Sequence, residues 1–245
     1  MQLSLGLDAF NPLPAVYDRL RLAFGSFREG PRLSPLDQLI KSMIGSRTYD
    51  EVAWSAFLRL RSRFQPWENL IDAPAGEIES VLAPVIHAEL KAAWLPEALG
   101  RLKALKGSLS LDFLADPPIE EAIAWQKRHL PGVGDKVAAA VLNFSTLRRP
   151  AMVVETHVWR VARRIGLAAR NAEPEEVRRT LMGAAPSGWT DEDFFDLHWL
   201  LKRLGQTLCT DTRTRCGACP VAALCEERRR AVARGQVDNV LALRR

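Results

Sequence analysis

All four cysteines of this 245-residue chain fall within seventeen residues near its C-terminal end: Cys209, Cys216, Cys219 and Cys225. No other feature restricts the fold as tightly. A secreted protein stapled by disulfides scatters its cysteines to close loops of different length, which this chain does not do. The spacing C-x6-C-x2-C-x5-C holds one short C-x2-C pair, where structural zinc sites usually have two. Four thiolates in one compact loop suit a cuboidal iron–sulfur cluster, whose iron corners each take one cysteine sulfur. Disulfides and a zinc ion are the competing uses of the same four side chains.

The cysteine segment is also the basic part of the chain. Residues 201–245 carry ten basic and four acidic side chains, a surplus of six, while the whole chain carries a net +5. Arg213 and Arg215 lie between the first two cysteines, and Arg228, Arg229 and Arg230 follow the last. Arginine forks match phosphate oxygens, and grouped cations gain from counterion release on DNA. A solvated charged face is the alternative reading of such a run. The chain opens without a basic-then-apolar leader, and no run approaches the roughly 18 apolar residues of a membrane span. The expectation is a soluble cytoplasmic protein with no membrane partner.

Apolar spacing reads as helical almost throughout. Val16, Leu20, Phe24 and Phe27 mark a first amphipathic helix after a turn at residues 11–14. Ser34 and Pro35 supply an N-cap and a proline at the first helical position, ahead of the stripe Leu36, Leu39, Ile40, Met43 and Ile44. Further stripes follow through Ala53–Phe64 and from about 89 to 106. Thr190 with Asp193 makes a capping box at the head of a helix over 191–204. Residues 108–114 alternate like a strand but have no partner strand, so they read as a loop or an irregular lead-in to a helix. Arg148, Arg149 and Pro150 form the best hinge, because proline disfavours helix in the residue before it.

Two segments between these helices carry chemistry. In Leu130-Pro131-Gly132-Val133-Gly134-Asp135-Lys136 a helix ends near His129, a turn with two glycines follows, and a new helix opens at once. The glycines allow positive φ and close approach of another backbone. Unpaired N–H groups at the new helix start then face outward and suit a DNA phosphate. A plain turn between packed helices is the bland alternative. Lys136 lies in the first turn, where the positive end of the helix dipole disfavours an ammonium and so favours the amine as a nucleophile. Downstream, an apolar lead brings Glu155 to the start of a helix, as either a capping or a functional carboxylate.

Together these pieces resemble the endonuclease III branch of the helix–hairpin–helix DNA glycosylases. LPGVGDK is similar to that family's hairpin with its lysine, and VETHVWRV to its V-D-T-H-x-x-R-V segment. LHWLLKRLGQTLC followed by RCGACPVAALC resembles its approach to a cluster and the cluster spacing. The resemblance implies an all-α, two-domain fold. Residues 29–149 would form a six-helix barrel domain with the hairpin; residues 1–28 and 150–245 would form the iron–sulfur domain. DNA would lie in the cleft between them.

By the same resemblance, Lys136 is the nucleophile that attacks the sugar of a damaged nucleotide, with Glu155 where the family has aspartate. Leu130, Gly132, Val133 and Gly134 grip phosphate with Arg213 and Arg215. Cys209, Cys216, Cys219 and Cys225 hold a 4Fe–4S cluster. Arg47 stands where the family has a glutamine that fills the space of the flipped base, and His87 where it has an apolar wedge. The expected protein is a monomeric base-excision glycosylase with lyase activity on damaged double-stranded DNA. A monofunctional glycosylase in which Glu155 activates water is the first alternative. A lesion-binding protein without catalysis is the second.

Overall fold

The computed structural model of the chain describes residues 11–27 and 30–235. Among these the regular structure is twelve α-helices and three short 3-10 turns, with β-pairing confined to isolated bridges. The helices are α1 (Leu13–Phe24), α2 (Pro35–Ile44), α3 (Asp50–Phe64), α4 (Glu68–Ile71), α5 (Ala75–Leu82), α6 (Ala88–Lys106), α7 (Ile119–His129), α8 (Asp135–Phe144), α9 (Thr156–Ile165), α10 (Pro174–Ala184), α11 (Asp191–Thr207) and α12 (Glu226–Ala233). The first helix starts inside its expected turn and ends before Phe27. Residues 108–114 run as bends into a 3-10 turn at Asp112–Ala115 rather than as a strand.

The chain divides into two compact units. One comprises Glu29–Val153 with Thr190–Phe195, and the other Met1–Arg28, Val154–Trp189 and Asp196–Arg245. In the first unit, Ser34 Oγ accepts the Asp37 N–H at 3.1 Å and Pro35 opens α2. Such a cap contributes about 1 kcal/mol. Leu39, Ile40 and Ile44 of α2, Phe57 and Leu60 of α3, and Leu95 and Leu99 of α6 bury completely in one core. Every residue from Val137 to Asn143 of α8 is buried as well. A helix that is apolar all round belongs inside a bundle, and the alanines at 138–140 let its neighbours approach closely. The core therefore grips α8, whose first turn carries Lys136.

The segment around Pro150 is irregular but pinned. Arg149 donates to the Leu114 carbonyl at 2.8 Å and to that of Pro117, and buried Asn143 Nδ2 donates to the carbonyls of Arg149 and Asp191 at 2.9 and 2.8 Å. Thr190 and Asp193 form their box, with Asp193 Oδ2 accepting from both the N–H and the hydroxyl of Thr190 at 2.8 and 2.9 Å. In the second unit, Asp196 of α11 is fully buried and accepts from Tyr17 Oη at 3.1 Å and from the Phe27 N–H at 2.7 Å. These bonds fasten the N-terminal helix to α11 although about 170 residues separate them in sequence.

Candidate functional site

The glycine turn joins α7 to α8. Leu130 ends α7 and is buried; Val133 is buried after it. The two glycines differ. Gly132 has φ +75°, and a Cβ there would stand 2.8 Å from the Trp94 ring, so both the conformation and the space demand glycine. Gly134 is extended at φ −101°, ψ −177°, and a Cβ there would meet nothing within 4 Å. The expectation of positive φ thus holds for Gly132 alone. Gly134 instead leaves open space at the start of α8, beside N–H groups that have no partner within the helix. Asp135 is the first residue of α8, with its carboxylate 3.7 Å from Lys127 Nζ, and half-buried Lys136 is the second.

Arg47 and His87 lie on two separate loops of the same unit. Each is exposed, and each adopts the left-handed backbone, at φ 58° and 57°. Among the described non-glycine residues only Arg148 shares this region, which L side chains populate at a cost of roughly 1–2 kcal/mol. Strain of this kind tends to mark functional loops. His87 is the N-cap residue of α6 and lies 3.7 Å from Glu89. Tyr49, next to the Arg47 loop, is 83% exposed.

Glu155 is the N-cap of α9, where its Oε1 accepts the Val158 N–H at 2.8 Å. The capping role weighed from sequence is therefore real. The following motif does more than sequence alone suggested. Arg160 donates to the carbonyls of Gly205 at 2.9 Å and Cys209 at 3.1 Å, and Arg164 donates to the Thr210 carbonyl at 2.6 Å and to Cys209 Sγ at 3.5 Å. Cys225 Sγ returns a bond to the Arg164 carbonyl at 3.3 Å. Consecutive turns of α9 thus hold both ends of the cysteine loop. The signal that could have found them is the i, i+4 pair of arginines behind an otherwise apolar face.

The four cysteines are all free and all half-buried. Burial pushes the Cys219 thiol up to about 11, and the thiols of Cys209, Cys225 and Cys216 add to the rise. Burial raises the Cys225 thiol too, with Cys209 and Cys216 adding to the rise, so ionising these two thiols is costly without a cationic partner. Among the described residues no three Cys, His, Asp or Glu side chains are grouped as ligands of a single metal ion. Arg213 and Arg215 are exposed on the turn between the first two cysteines, which the Thr210 N–H closes onto the Arg213 carbonyl at 3.0 Å. Among the described residues no helix is long and apolar enough to cross a membrane.

Comparison with known proteins identifies the fold and the family. The chain is 27% identical over 204 residues to endonuclease III-like protein 1 of Gallus gallus, covering 82% of this chain and 66% of that one. An endonuclease III trapped as a covalent intermediate on DNA superposes with a TM-score of 0.73 at 24% identity, over 90% of this chain and 97% of that one. A thermostable thymine-DNA glycosylase gives 0.71 at 18% identity, over 89% and 97%. These two structures share the all-α fold. Residues 40–187, spanning the glycine turn, Lys136 and Glu155, match a single family along their whole length. The chain belongs to the HhH-GPD superfamily of base excision DNA repair proteins.

Proposed function

We propose that the protein is a DNA glycosylase that flips a damaged base out of duplex DNA, excises it with Lys136 as nucleophile, and then cleaves the strand. One observation carries this reading: Lys136 is the second residue of a helix buried on every side, directly behind the open space at Gly134. A helix so packed fixes where the amine starts, and a near-attack position is what a bimolecular step most needs. The Lys136 lone pair bonds to the sugar C1′ while the glycosidic electrons leave with the base, which takes up a proton. The sugar ring opens to a Schiff base between Nζ and C1′, and loss of a C2′ proton expels the 3′ phosphate. The lesion must first leave the stack.

Other residues serve this step. Glu155 stabilises positive charge developing on the sugar, with one carboxylate oxygen oriented by the Val158 N–H. Leu130, Gly132, Val133 and Gly134 present backbone to a phosphate, and Arg213 and Arg215 add charge. Arg47 and His87 meet the space that the flipped base vacates. Residues 29–149 act as the barrel domain and residues 1–28 with 150–245 as the cluster domain, and the protein works as a monomer. The four free, half-buried thiols fit a 4Fe–4S cluster held by Cys209, Cys216, Cys219 and Cys225. When bound, it joins the loop carrying Arg213 and Arg215 into one piece.

The test is incubation with a panel of damaged duplexes in the presence of borohydride. A covalent adduct forms with the wild type and is absent from Lys136→Ala. Base release without an adduct would instead assign a monofunctional enzyme in which Glu155 activates water. Binding with neither release nor adduct on any duplex would leave a lesion-binding protein.

A further inference from the structure

Lys91 has no place in the mechanism above, yet it is the most buried lysine among the described residues. It lies on α6 one turn after His87 and is 3% exposed. Its ammonium donates to the carbonyls of Ile44 and Ser46 at 2.7 Å each, and to Thr48 Oγ1 at 3.3 Å. Ile44 ends α2, where the helix dipole favours a cation. Thr48 Oγ1 also accepts the Ile86 N–H at 3.3 Å, so the same hydroxyl ties one loop to the other. Arg47 lies between two of these partners, Ser46 and Thr48, and His87 directly follows Ile86, which Thr48 holds. A surface lysine needs no such set of partners. A buried one is retained at a desolvation cost, and the groups it satisfies show what it holds.

We propose that Lys91 is a positioning residue. It locks the loops of Arg47 and His87, with their left-handed backbones, into a single surface that distinguishes a vacated base position from intact duplex. The proposal rests on the reading of those two residues as lesion contacts. It does not require Schiff-base chemistry. Two further charges act on Lys91: Lys136 from α8, which opposes its ammonium, and Glu89 on its own helix, which favours it. Glu89 also lies 3.7 Å from the His87 ring. Burial and Lys136 together lower the Lys91 pKa to about 8. A neutral amine keeps two N–H donors, enough for the two carbonyls but not for Thr48 as well.

The experiment measures affinity of the full-length protein for a duplex with a tetrahydrofuran abasic analogue and for the same undamaged duplex. The analogue cannot form a Schiff base, so a wild type that yields no borohydride adduct loses the nucleophile reading while this measurement still decides the role of Lys91. Lys91→Met is expected to lower affinity for the analogue at least about tenfold and for undamaged duplex less than about threefold. Wild-type discrimination falls between pH 7 and 9.5, Lys91→Met is flat over that range, and Lys91→Arg keeps discrimination at both ends. A folded Lys91→Met that discriminates like wild type overturns the proposal. So does an equal loss on both duplexes, which marks general structural support. Should Lys91→Met fail to fold, Thr48→Val removes the link between the loops and decides in the same way.

Discussion

The hairpin backbone at Gly132 lies directly against the Trp94 ring: a Cβ there would stand 2.8 Å from Cε3, 3.0 Å from Cδ2 and 3.1 Å from Cβ. A Cβ at Gly134, two residues on, would meet nothing within 4 Å. One glycine thus serves the fold and the other leaves a surface open. Gly132→Ala is expected to destabilise the protein by about 1–3 kcal/mol, from the positive φ and the displaced ring. Gly134→Ala should unfold like wild type or up to about 1 kcal/mol later, because alanine tolerates extended backbone and narrows the unfolded ensemble. On the proposed reading its methyl occupies the approach of a phosphate, and DNA affinity is then expected to fall about tenfold. Urea unfolding and fluorescence anisotropy on one duplex check both; a Gly134→Ala variant with wild-type affinity would remove the phosphate site.

Glu155 caps α9 through Oε1, and an amide oxygen accepts the same bond. Glu155→Gln therefore keeps the helix start, with unfolding changed by less than about 1 kcal/mol, and loses the negative charge that the proposed mechanism assigns to the reacting sugar. Single-turnover base release is expected to fall of order 100-fold or more. Glu155→Ala loses both the cap and the charge. Equal rates for wild type and Glu155→Gln would confine Glu155 to capping.

Much of this was legible in the sequence because local rules set it. Ser34 with Pro35 starts a helix by its own chemistry, and Thr190 with Asp193 closes its box within one turn. LPGVGDK places two glycines and a lysine on a helix start whatever surrounds them. Lys91 gave no such signal: it reads as an ordinary charge on an amphipathic helix until α2 and the loop after it supply carbonyls from more than forty residues away. Arg160 and Arg164 show only their i, i+4 spacing, since their partners at 205–210 meet them only through the packing of α9. The different tasks of Gly132 and Gly134 depended on Trp94, from another helix.

Arg160 bridges α9 to the Gly205 and Cys209 carbonyls with two nitrogens of one planar fork, its Nε lying 3.2 Å from the Cys209 oxygen and its Nη2 2.9 Å from that of Gly205. Arg160→Ala leaves both acceptors without that partner and is expected to destabilise the protein by about 1–3 kcal/mol. Arg160→Lys recovers little, because a single ammonium does not reproduce the fork. The loop of the first cysteine then loses its anchor, so iron content and absorbance near 400 nm fall together. Metal analysis of protein purified without oxygen checks this. A colourless wild type containing stoichiometric zinc would reassign the four thiols.

The pKa of Lys91 sets a further expectation, whose sign opposes that of its loop function. Burial, then the ammonium of Lys136, lower it from 10.5 to about 8, with Glu89 acting against them. Between these two values the unfolded chain holds a proton that the folded protein has released, so stability rises with pH across about 8 to 10.5. Below pH 8 both states are protonated and the group adds no slope. Lys91→Met removes this rise. The informative quantity is the difference between wild-type and variant urea midpoints at pH 7.5, 8.5 and 9.5, which isolates Lys91. That difference should shift steadily in favour of the wild type as pH rises. Over the same interval the wild type loses its preference for the abasic analogue, because the neutral amine no longer supplies a third donor to Thr48. Rising stability alongside falling discrimination shows that the loss of preference does not come from loss of the fold. Parallel midpoint curves for wild type and Lys91→Met would place the Lys91 pKa near that of an ordinary lysine and remove the expectation.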